Sequence, residues 1–385
     1  MKKYFLLACA FCVFGVADAA TIQFSSPDKK LQVTVADDGG RPTYRVVCGE
    51  TVFLEQSPLG LLTNIGDFSQ GMTLQESSFS SSPVSGHYEL PTIKRSKVDV
   101  RATKAVCPFY KDGKHIFDVV FHVSDHDVAF KYKMYPQGNT LCCVVKEETT
   151  GFVLPQGTTT FLCPQAGPMG GFARTSPSYE TSYTADGEMG KNGWGNGYTF
   201  PCLFRTGNKG WVLISETGVD SRYCASRLMG KDGGLYTIGF PQEGEYNGNG
   251  TACPGIALPG ETPWRTVTVG QTLAPIVETT IPYDVVEPLY EPSCRYVYGR
   301  GTWSWIIAGD NSMNYDEQKR YVDFAADMVT RACSWMPGGI RAWDTNGRQN
   351  WPVTPQARGS ACICGTIPTV IGTMRPKGRV AAWTT

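Results

Sequence analysis

Two pairs of residues between positions 299 and 328 have types and spacings that could do chemistry. Asp323 and Asp327 are four residues apart, so a helix would place both carboxyl groups on one face. Two carboxyl groups can act as acid and base, but we expect this pair to be a solvated outer helix face. Trp303 and Trp305 alternate in a strand-like segment, where their rings could stack on a ligand or pack beneath the strand.

The surrounding sequence predicts one strand followed by one helix. The strand is predicted over 302–307. Asn314 is a residue type that caps helices, and Glu317 takes the capping-box position three residues later. A strand followed by an amphipathic helix is the unit from which parallel sheets and barrels are built. The predicted apolar helix face, spaced i, i+3, i+4 and i+7, consists of Tyr321, Phe324, Ala325 and Met328.

Residues 21–285 predict many short strands joined by turns. Val33 and Val35 alternate with polar neighbours, and Asp-Asp-Gly-Gly at 37–40 then supplies a hairpin turn. There is no convincing amphipathic helix before residue 310, so the strands lack the crossover helices of a parallel sheet and predict an antiparallel sandwich. Further strands are predicted over 97–108, 115–122, 127–135, 141–147, 199–205, 209–215, 235–240 and 264–269.

Residues 1–20 have the organisation of a secretory signal. Lys2 and Lys3 form a basic start, an apolar run follows, and small residues at 17–19 form a cleavage site. The run is too short to span a bilayer, and no other run approaches that length. Aromatic residues make up 12% and charged residues 18%, which is typical of a folded core. The formal net charge is +0, so nothing indicates a nucleic-acid partner.

Export permits disulfides, but the 14 cysteines show no tight repeated spacing. Cys142 and Cys143 are adjacent in a predicted strand, so they point to opposite faces and are not expected to bond each other. We expect most cysteines to be small buried apolar residues. The four histidines show no metal-ligand spacing, and no Gly-x-Ser-x-Gly nucleophile motif occurs.

Two segments predict irregular structure. Residues 164–198 are rich in glycine, serine, threonine and tyrosine, and they end in Gly-Trp-Gly-Asn-Gly-Tyr. Long loops on a β scaffold are often functional, and this one fits either an aromatic loop near a sugar site or a plain surface loop. Residues 286–298 contain two X-Pro steps, which favour extended backbone and indicate a linker.

The strand and helix of 299–328 resemble the start of the catalytic barrel in glycoside hydrolase family 97. This resemblance rests on TWSWI at 302–306, Asp310, Tyr315, Gln-Lys at 318–319 and YVDFAADM at 321–328. The upstream strands are similar to the N-terminal domain of the same family. That similarity rests on LQVTV at 31–35, SPLG at 57–60 and WRTV at 264–267.

The resemblance implies a mainly β fold, with an antiparallel β-super-sandwich over 21–285 packed on a (β/α)₈ barrel that begins at 299. It implies an enzyme exported by a Gram-negative bacterium, periplasmic or secreted, that binds oligosaccharides and cleaves α-glucosides or α-galactosides. The family uses calcium, and some members invert the anomeric configuration while others retain it. Its catalytic carboxyl groups lie on later barrel strands, so catalytic residues are expected only beyond Met328. For Trp303 and Trp305 it implies substrate contact.

The N-terminal domain of the family also contributes a glutamate to the calcium site, and Glu216 is the best match here. It ends a predicted strand in Leu-Ile-Ser-Glu-Thr-Gly at 213–218. Thr217 and Cys224 depart from the Glu-Ala and Tyr-Pro of the family pattern. A carboxylate is a suitable calcium ligand, but calcium takes six to eight oxygens. The alternatives are an exposed strand-end Glu216 without a metal, and Glu180 as the ligand.

After Met328 the sequence departs from the family. Residues 329–385 contain six Arg, one Lys and a single acidic residue, Asp344. The family continues with Gly-Tyr-Glu where Val329 stands. Codons shifted one base upstream can spell GYESMFVDARWDT and later LYLWYNSNGYW, which are similar to the next family segment. We therefore interpret 329–385 as a poorly ordered, out-of-frame tail that follows the loss of one base; a divergent tail is the alternative.

Three functions are open at this point. The first is an exported family-97 glycosidase, truncated after its first βα unit and inactive as written. The second is a non-catalytic carbohydrate-binding β-sandwich module, and the third is an unrelated secreted structural β protein. The family-like βα block favours the first over the third, because a stand-alone β protein has no reason to begin a barrel.

Overall fold

The chain divides into two units, Met1–Leu289 and Tyr290–Thr385, and the division lies inside the linker predicted over 286–298. Almost all of the predicted signal at 1–20 lies outside the described residues. The computed structural model describes residues 19–90, 93–165, 182–242, 251–289, 293, 300–312, 314–328, 332–335 and 361–364.

Strands dominate the described part of the first unit. In chain order they are β1 (Thr21–Ser25), β2 (Leu31–Ala36), β3 (Thr43–Cys48), β4 (Thr51–Pro58), β5 (Leu61–Thr63), β6 (Thr73–Leu74), β7 (Ser80–Glu89), β8 (Lys97–Lys111), β9 (Lys114–Val123), β10 (Asp127–Met134), β11 (Cys142–Glu148), β12 (Gly151–Val153), β13 (Thr158–Pro164), β14 (Tyr198–Thr206), β15 (Gly210–Thr217), β16 (Arg227–Gly230), β17 (Leu235–Gly239), β18 (Gly255–Ala257), β19 (Gly260–Glu261) and β20 (Trp264–Gly270). The eight strands predicted between residues 97 and 269 are confirmed.

These strands form antiparallel sheets, as the alternating sequence predicts. One sheet has the order β1-β2-β3-β4, and a small sheet has the order β18-β11-β5. The large sheet runs β12-β17-β16-β14-β15-β20-β10-β9-β8-β6, with β13 on β14, β19 on β10 and β7 on β8. Adjacent strands are mostly neighbours in sequence or joined by loops, which explains the absence of long crossover helices among the described residues.

The core lies between the first sheet and the large sheet. The rings of Tyr44 and Phe130 are 5.0 Å apart, and those of Phe24 and Phe121 are 5.2 Å apart. The hydroxyl of Tyr44 donates to the carbonyl of Gly151 at 3.0 Å, so the buried phenol is satisfied. Each buried aromatic ring contributes about 2–3 kcal/mol through the apolar surface it removes from water.

Two short helices follow β20, in a region where the sequence shows no convincing amphipathic helix. They are α1 (Ala274–Glu278) and α2 (Ile281–Val285), each with proline in its first turn. One helical turn is too short to show an amphipathic period, which is why the sequence did not reveal them. Each helix nevertheless buries one isoleucine, Ile276 or Ile281.

The second unit contains three parallel strands, β21 (Gly301–Trp303), β22 (Ala332–Trp335) and β23 (Ala361–Cys364), side by side in that order. Between β21 and β22 lie α3 (Trp305–Ala308) and α4 (Tyr315–Asp327). A strand, helices and a parallel strand form the βα arrangement that the sequence predicts. The described residues contain no closed barrel, so the barrel stays a prediction.

Helix α4 starts as predicted, but its buried face is rotated from the predicted one and shares only Ala325 with it. Asn314 caps it, since its Oδ1 accepts from the backbone N–H of Glu317 at 3.0 Å. The buried side chains are Gln318, Val322 and Ala325, whereas Phe324 and Met328, both predicted to be buried, are exposed. Gln318 fixes this rotation because its amide donates to Ser304 Oγ and to the Ser312 carbonyl, each at 2.7 Å.

The tail predicted to be poorly ordered begins after residue 328, and most of its residues lie outside the described part of the chain. The eight tail residues that are described form β22 and β23. No described helix combines the length and the apolar character that a membrane crossing would need.

Candidate functional site

Glu216, the residue predicted to bind calcium, lies near the end of β15 and directly opposite Arg265 of β20. Side chains alternate along a strand, so Glu216 lies on the same side as the buried Val212 and Ile214. Arg265 lies on the side of the buried Val267. The sheet therefore places a carboxylate and a guanidinium together at one end of its buried face.

Arg265 is clamped between two glutamates. Its Nε donates to Glu148 Oε1 at 2.8 Å and its Nη2 to Glu148 Oε2 at 2.6 Å, which is a bidentate pair. Its Nη1 donates to Glu216 Oε2. The side chains of Arg265 and Glu148 have 0% exposure and that of Glu216 has 11%, so Glu216 is the solvent-facing end of the cluster.

The loop after β15 completes the cluster with two hydroxyl groups. Ser226 donates from its backbone N–H to Glu216 Oε1 at 2.9 Å and from its Oγ to Glu216 Oε2 at 2.6 Å. Tyr223 donates from its hydroxyl to Glu148 Oε2 at 2.9 Å. The Oγ of Ser226 also accepts a hydrogen bond from Arg265 Nη1 at 3.0 Å. The loop conformation is thereby fixed by the buried charges.

One guanidinium faces two carboxyl groups and can neutralise only one of them. Burial on its own lowers the pKa of Arg265, but Glu148 and then Glu216 outweigh it and hold the pKa above its ordinary value. Burial raises the pKa of the Tyr223 hydroxyl well above its ordinary value, and the charge of Glu148 adds to that shift. Tyr223 is therefore a fixed proton donor, and Glu216 is the member best placed to meet a cation.

The described residues do not make a calcium site by themselves. Both oxygens of Glu216 already accept hydrogen bonds, and one of its partners is a cation. The described part of the chain contains no group of three or more His, Cys, Asp or Glu that could hold a metal ion. Calcium takes six to eight oxygens, so Glu216 could be at most one ligand of a larger set. The second candidate, Glu180, lies outside the described residues.

The predicted sugar-binding tryptophans do not share a strand face. Strand β21 ends at Trp303, which is 44% exposed, and Trp305 begins helix α3 instead. The strand stops there because the carbonyl of Ser304 accepts from the backbone N–H groups of Ile307 and Ala308, each at 3.2 Å, which starts a helical turn. Trp303 remains available to a ligand. Trp305 and Trp303 belong to the second unit and Glu216 to the first.

The helical aspartates match the predicted solvated face only in part. Asp323 is half-buried and forms an ion pair with Lys319 at 2.7 Å, one helical turn away. Asp327 is exposed.

A second candidate site is a cavity of about 330 Å³ beside β13. Its wall includes Tyr183 and Trp194, which are 62% and 61% exposed. Glu188 and Lys191 line the same cavity and form an ion pair at 3.3 Å. Exposed rings beside polar groups suit a sugar, because rings cover C–H faces while polar groups meet hydroxyls.

Sequence reasoning found Glu216 but missed Arg265 and Glu148. A signal for Arg265 was present, since it occupies an inward position in the alternating strand WRTVTVG. A charged residue at such a position must be paired, because an unpaired buried charge is costly. Glu148 is 117 residues away in the chain, and no sequence pattern joins the two.

Three comparisons with known proteins bear on the first unit. The sequence model of the family Glycosyl-hydrolase 97 N-terminal matches residues 24–288. A probable retaining alpha-galactosidase of Streptomyces bingchenggensis (strain BCW-1) is 31% identical over 306 residues, which is 78% of this chain and 43% of that protein. A crystal structure of a beta-arabinopyranosidase matches with 47% identity and a TM-score of 0.81, over 89% of this chain and 55% of that one.

A further solved structure shows the fold alone. A glycoside hydrolase family 97 enzyme from Pseudoalteromonas sp. strain K8, in complex with panose, matches at 18% identity with a TM-score of 0.64. The match covers 81% of this chain and 47% of that one. The present chain thus spans about half the length of the relatives it resembles.

Replacing Arg265 tests whether the cluster is as tightly coupled as its geometry indicates. We expect Arg265→Leu to lower the free energy of unfolding of the first unit by about 3–5 kcal/mol, because two buried carboxyl groups lose their partner. Urea unfolding at pH 7 measures the loss.

Arg222→Leu is the matched control in the same loop. Arg222 pairs with Asp220, but its side chain is 82% exposed, so its removal should change the free energy of unfolding by less than about 1 kcal/mol. Equal losses in the two variants would show that the Arg265 cluster is not a buried ion network.

Proposed function

Because the chain belongs to glycoside hydrolase family 97, we propose that it forms the β-rich N-terminal domain and the first βα unit of an exported glycosidase. The observation that carries the proposal is the family match over 24–288, which spans the antiparallel sheets and the Arg265 cluster. The predicted signal at 1–20 supports a periplasmic or secreted enzyme of a Gram-negative bacterium.

We propose galactose-configured glycosides as the substrate class of the whole enzyme. The two relatives above 30% identity are described as an alpha-galactosidase and a beta-arabinopyranosidase. α-D-galactopyranose and β-L-arabinopyranose have the same arrangement of ring hydroxyls and anomeric bond, and they differ by the hydroxymethyl group on C5. One pocket can therefore accept both. The family resemblance alone implies α-glucosides or α-galactosides as substrates, and these two relatives favour α-galactosides.

The first unit supports such an enzyme by presenting Glu216. Arg265 and Ser226 hold the Glu216 carboxylate at the solvent-facing end of the cluster. We propose that it supplies one oxygen to a calcium ion whose other ligands lie outside the described residues. Calcium, when bound, would supply a fixed positive charge. Trp303 would offer its exposed ring to the substrate. Substrate contact by Trp305 stays a prediction.

We propose that the catalytic carboxyl pair of the enzyme is not among the described residues of this chain. Glycoside hydrolysis needs two carboxyl groups placed across the bond that breaks. Among the described residues of the second unit, Glu317 pairs with Arg320 and Asp323 with Lys319, and both lie on α4. Residues 329–385 contribute Asp344 alone. We therefore propose that the tail is out of frame and that the 385-residue chain does not hydrolyse glycosides.

Hydrolysis of nitrophenyl glycosides tests this proposal. The purified 385-residue chain should release no nitrophenol from the α-galactoside, the β-L-arabinopyranoside or the α-glucoside. A second chain, made from the gene with one base restored after the Met328 codon, should hydrolyse the first two at least about tenfold faster than the third, a difference of about 1.4 kcal/mol in the barrier. Turnover by the unaltered chain would contradict the proposed inactivity, and a preference for the α-glucoside would contradict the substrate class.

The alternative function is carbohydrate binding without catalysis. The observation that favours it is the cavity with Tyr183 and Trp194, because both rings are exposed in a unit that belongs to a glycosidase family. Such binding needs no catalytic carboxyl group. It is compatible with an inactive chain.

Calorimetric titration of the full chain with melibiose and with maltose tests this alternative. Trp194→Ala should weaken binding at least tenfold, since stacking of a ring on a sugar face is lost. Tyr283→Ala is the matched control, because Tyr283 is 49% exposed on α2, away from the cavity residues in sequence. No saturable binding by the unaltered chain, or equal losses in both variants, would remove the alternative.

A further inference from the structure

Two half-buried cysteines lie near each other beside the loop that completes the Arg265 cluster. Cys224 lies between Tyr223 and Ser226, and its Sγ is 3.8 Å from the carbonyl oxygen of Ala252. By peptide geometry that oxygen is within about 3 Å of the Cα of the next residue, Cys253. The Cys224 sulfur is therefore at most about 7 Å from the Cys253 Cα, and a disulfide would form if the two side chains turn toward each other.

Two other pairs of described cysteines also lie near each other, because burial and then the charge of the neighbouring thiol raise the pKa of Cys143 beside Cys142 and of Cys202 beside Cys163. Cys142 is exposed and Cys143 is buried, so their predicted placement on opposite faces is confirmed. Cys163 and Cys202 lie on adjacent strands, but Cys202 is buried while Cys163 lies at an outward-facing position. The thiol of Cys143 contacts Met134 in the core. Cys48 and Cys107 lie on separate strands and are not adjacent to each other.

The described cysteines are also less buried than the sequence suggests. Three of them are buried, whereas four are half-buried and one is exposed. Cys224 and Cys253 are both in the half-buried group, and neither is bonded to another cysteine in this structure. Thiols in that position are reachable by a small oxidant, unlike thiols in the core.

We propose that Cys224 and Cys253 form a disulfide when the protein meets an oxidising environment. The reaction is thiol–disulfide exchange with a low-molecular-weight disulfide such as oxidised glutathione. One cysteine thiolate attacks the glutathione disulfide and expels one glutathione thiolate. The second cysteine then attacks the mixed disulfide and expels the other. Two protein thiols are oxidised and one external disulfide is reduced, and the two protons of the protein thiols pass to the two glutathione thiolates.

The bond would anchor the loop that holds the site. Tyr223 and Ser226 donate to Glu148 and Glu216 from positions on either side of Cys224. A bridge to Cys253 would tie this loop to the segment just before β18 and would restrict its motion. We therefore expect the disulfide to fix Ser226 against the carboxylate of Glu216.

Burial makes the reaction slow once the loop has packed. It raises the pKa of Cys224 to about 12, although the charge of Arg265 pulls in the other direction. Only the thiolate is nucleophilic, so little of Cys224 is reactive at neutral pH. The bridge should form readily during folding and over hours in the folded chain.

Peptide mapping tests the bond directly, because trypsin isolates each cysteine. Cleavage after Arg222 and Arg227 releases Tyr-Cys-Ala-Ser-Arg, and cleavage after Lys231 and Arg265 releases a peptide whose one cysteine is Cys253. The full chain is refolded with oxidised and reduced glutathione, alkylated and digested without reductant. We expect the two peptides to be joined and to separate on reduction. Alkylation of both cysteines, or their linkage to others, would overturn the proposal.

Variants add a second readout. Cys224→Ser and Cys253→Ser should each abolish the joined peptide and lower the melting temperature of the oxidised protein by about 5 °C, as expected for opening a loop of this length. Each should leave the reduced protein unchanged within about 1 °C. Cys142→Ser is the control and should keep the joined peptide. Equal melting temperatures of oxidised unaltered protein and both variants would count against a stabilising bond. None of these readouts depends on glycosidase activity.

Discussion

The buried guanidinium of Arg265 is the constraint on which the site depends. It is wholly buried, and burying a charge costs several kcal/mol unless partners compensate it. Glu148 ends β11 of the small sheet, whereas Glu216 and Arg265 belong to adjacent strands of the large sheet. The ion network therefore joins two sheets and one loop. It also leaves one carboxylate, Glu216, at the solvent-facing end.

The strand architecture was predictable because its signal is local and repeated. Alternation such as that of Leu31, Val33 and Val35 records which face is buried, and the structure buries all three. The network was not predictable, since Glu148 and Arg265 are far apart in sequence. The face of α4 was mispredicted for a related reason. Gln318 is polar, but its buried amide nitrogen donates to Ser304 and Ser312, and hydropathy does not record such partners.

Only part of the candidate site could be predicted from the sequence. Glu216 was predicted from a family resemblance at a strand end, whereas its partners Arg265 and Glu148 were missed. Trp303 is exposed, but the predicted alternation failed for Trp305 because a helix begins there. The family match over 24–288 is shown, and the roles proposed for Glu216 and Trp303 rest on it.

The coding DNA across the Met328 codon gives the most direct test of this account. If one base has been lost there, codons shifted one base upstream from Val329 will encode Gly-Tyr-Glu and, further on, the segments VDA-x-WDT and LWYN. An independent read of the source genome should then show the additional base, or show the interrupted gene with that alternative frame intact. DNA that cannot encode these segments in the shifted frame would contradict the account, and residues 329–385 would then be a genuine tail of this protein.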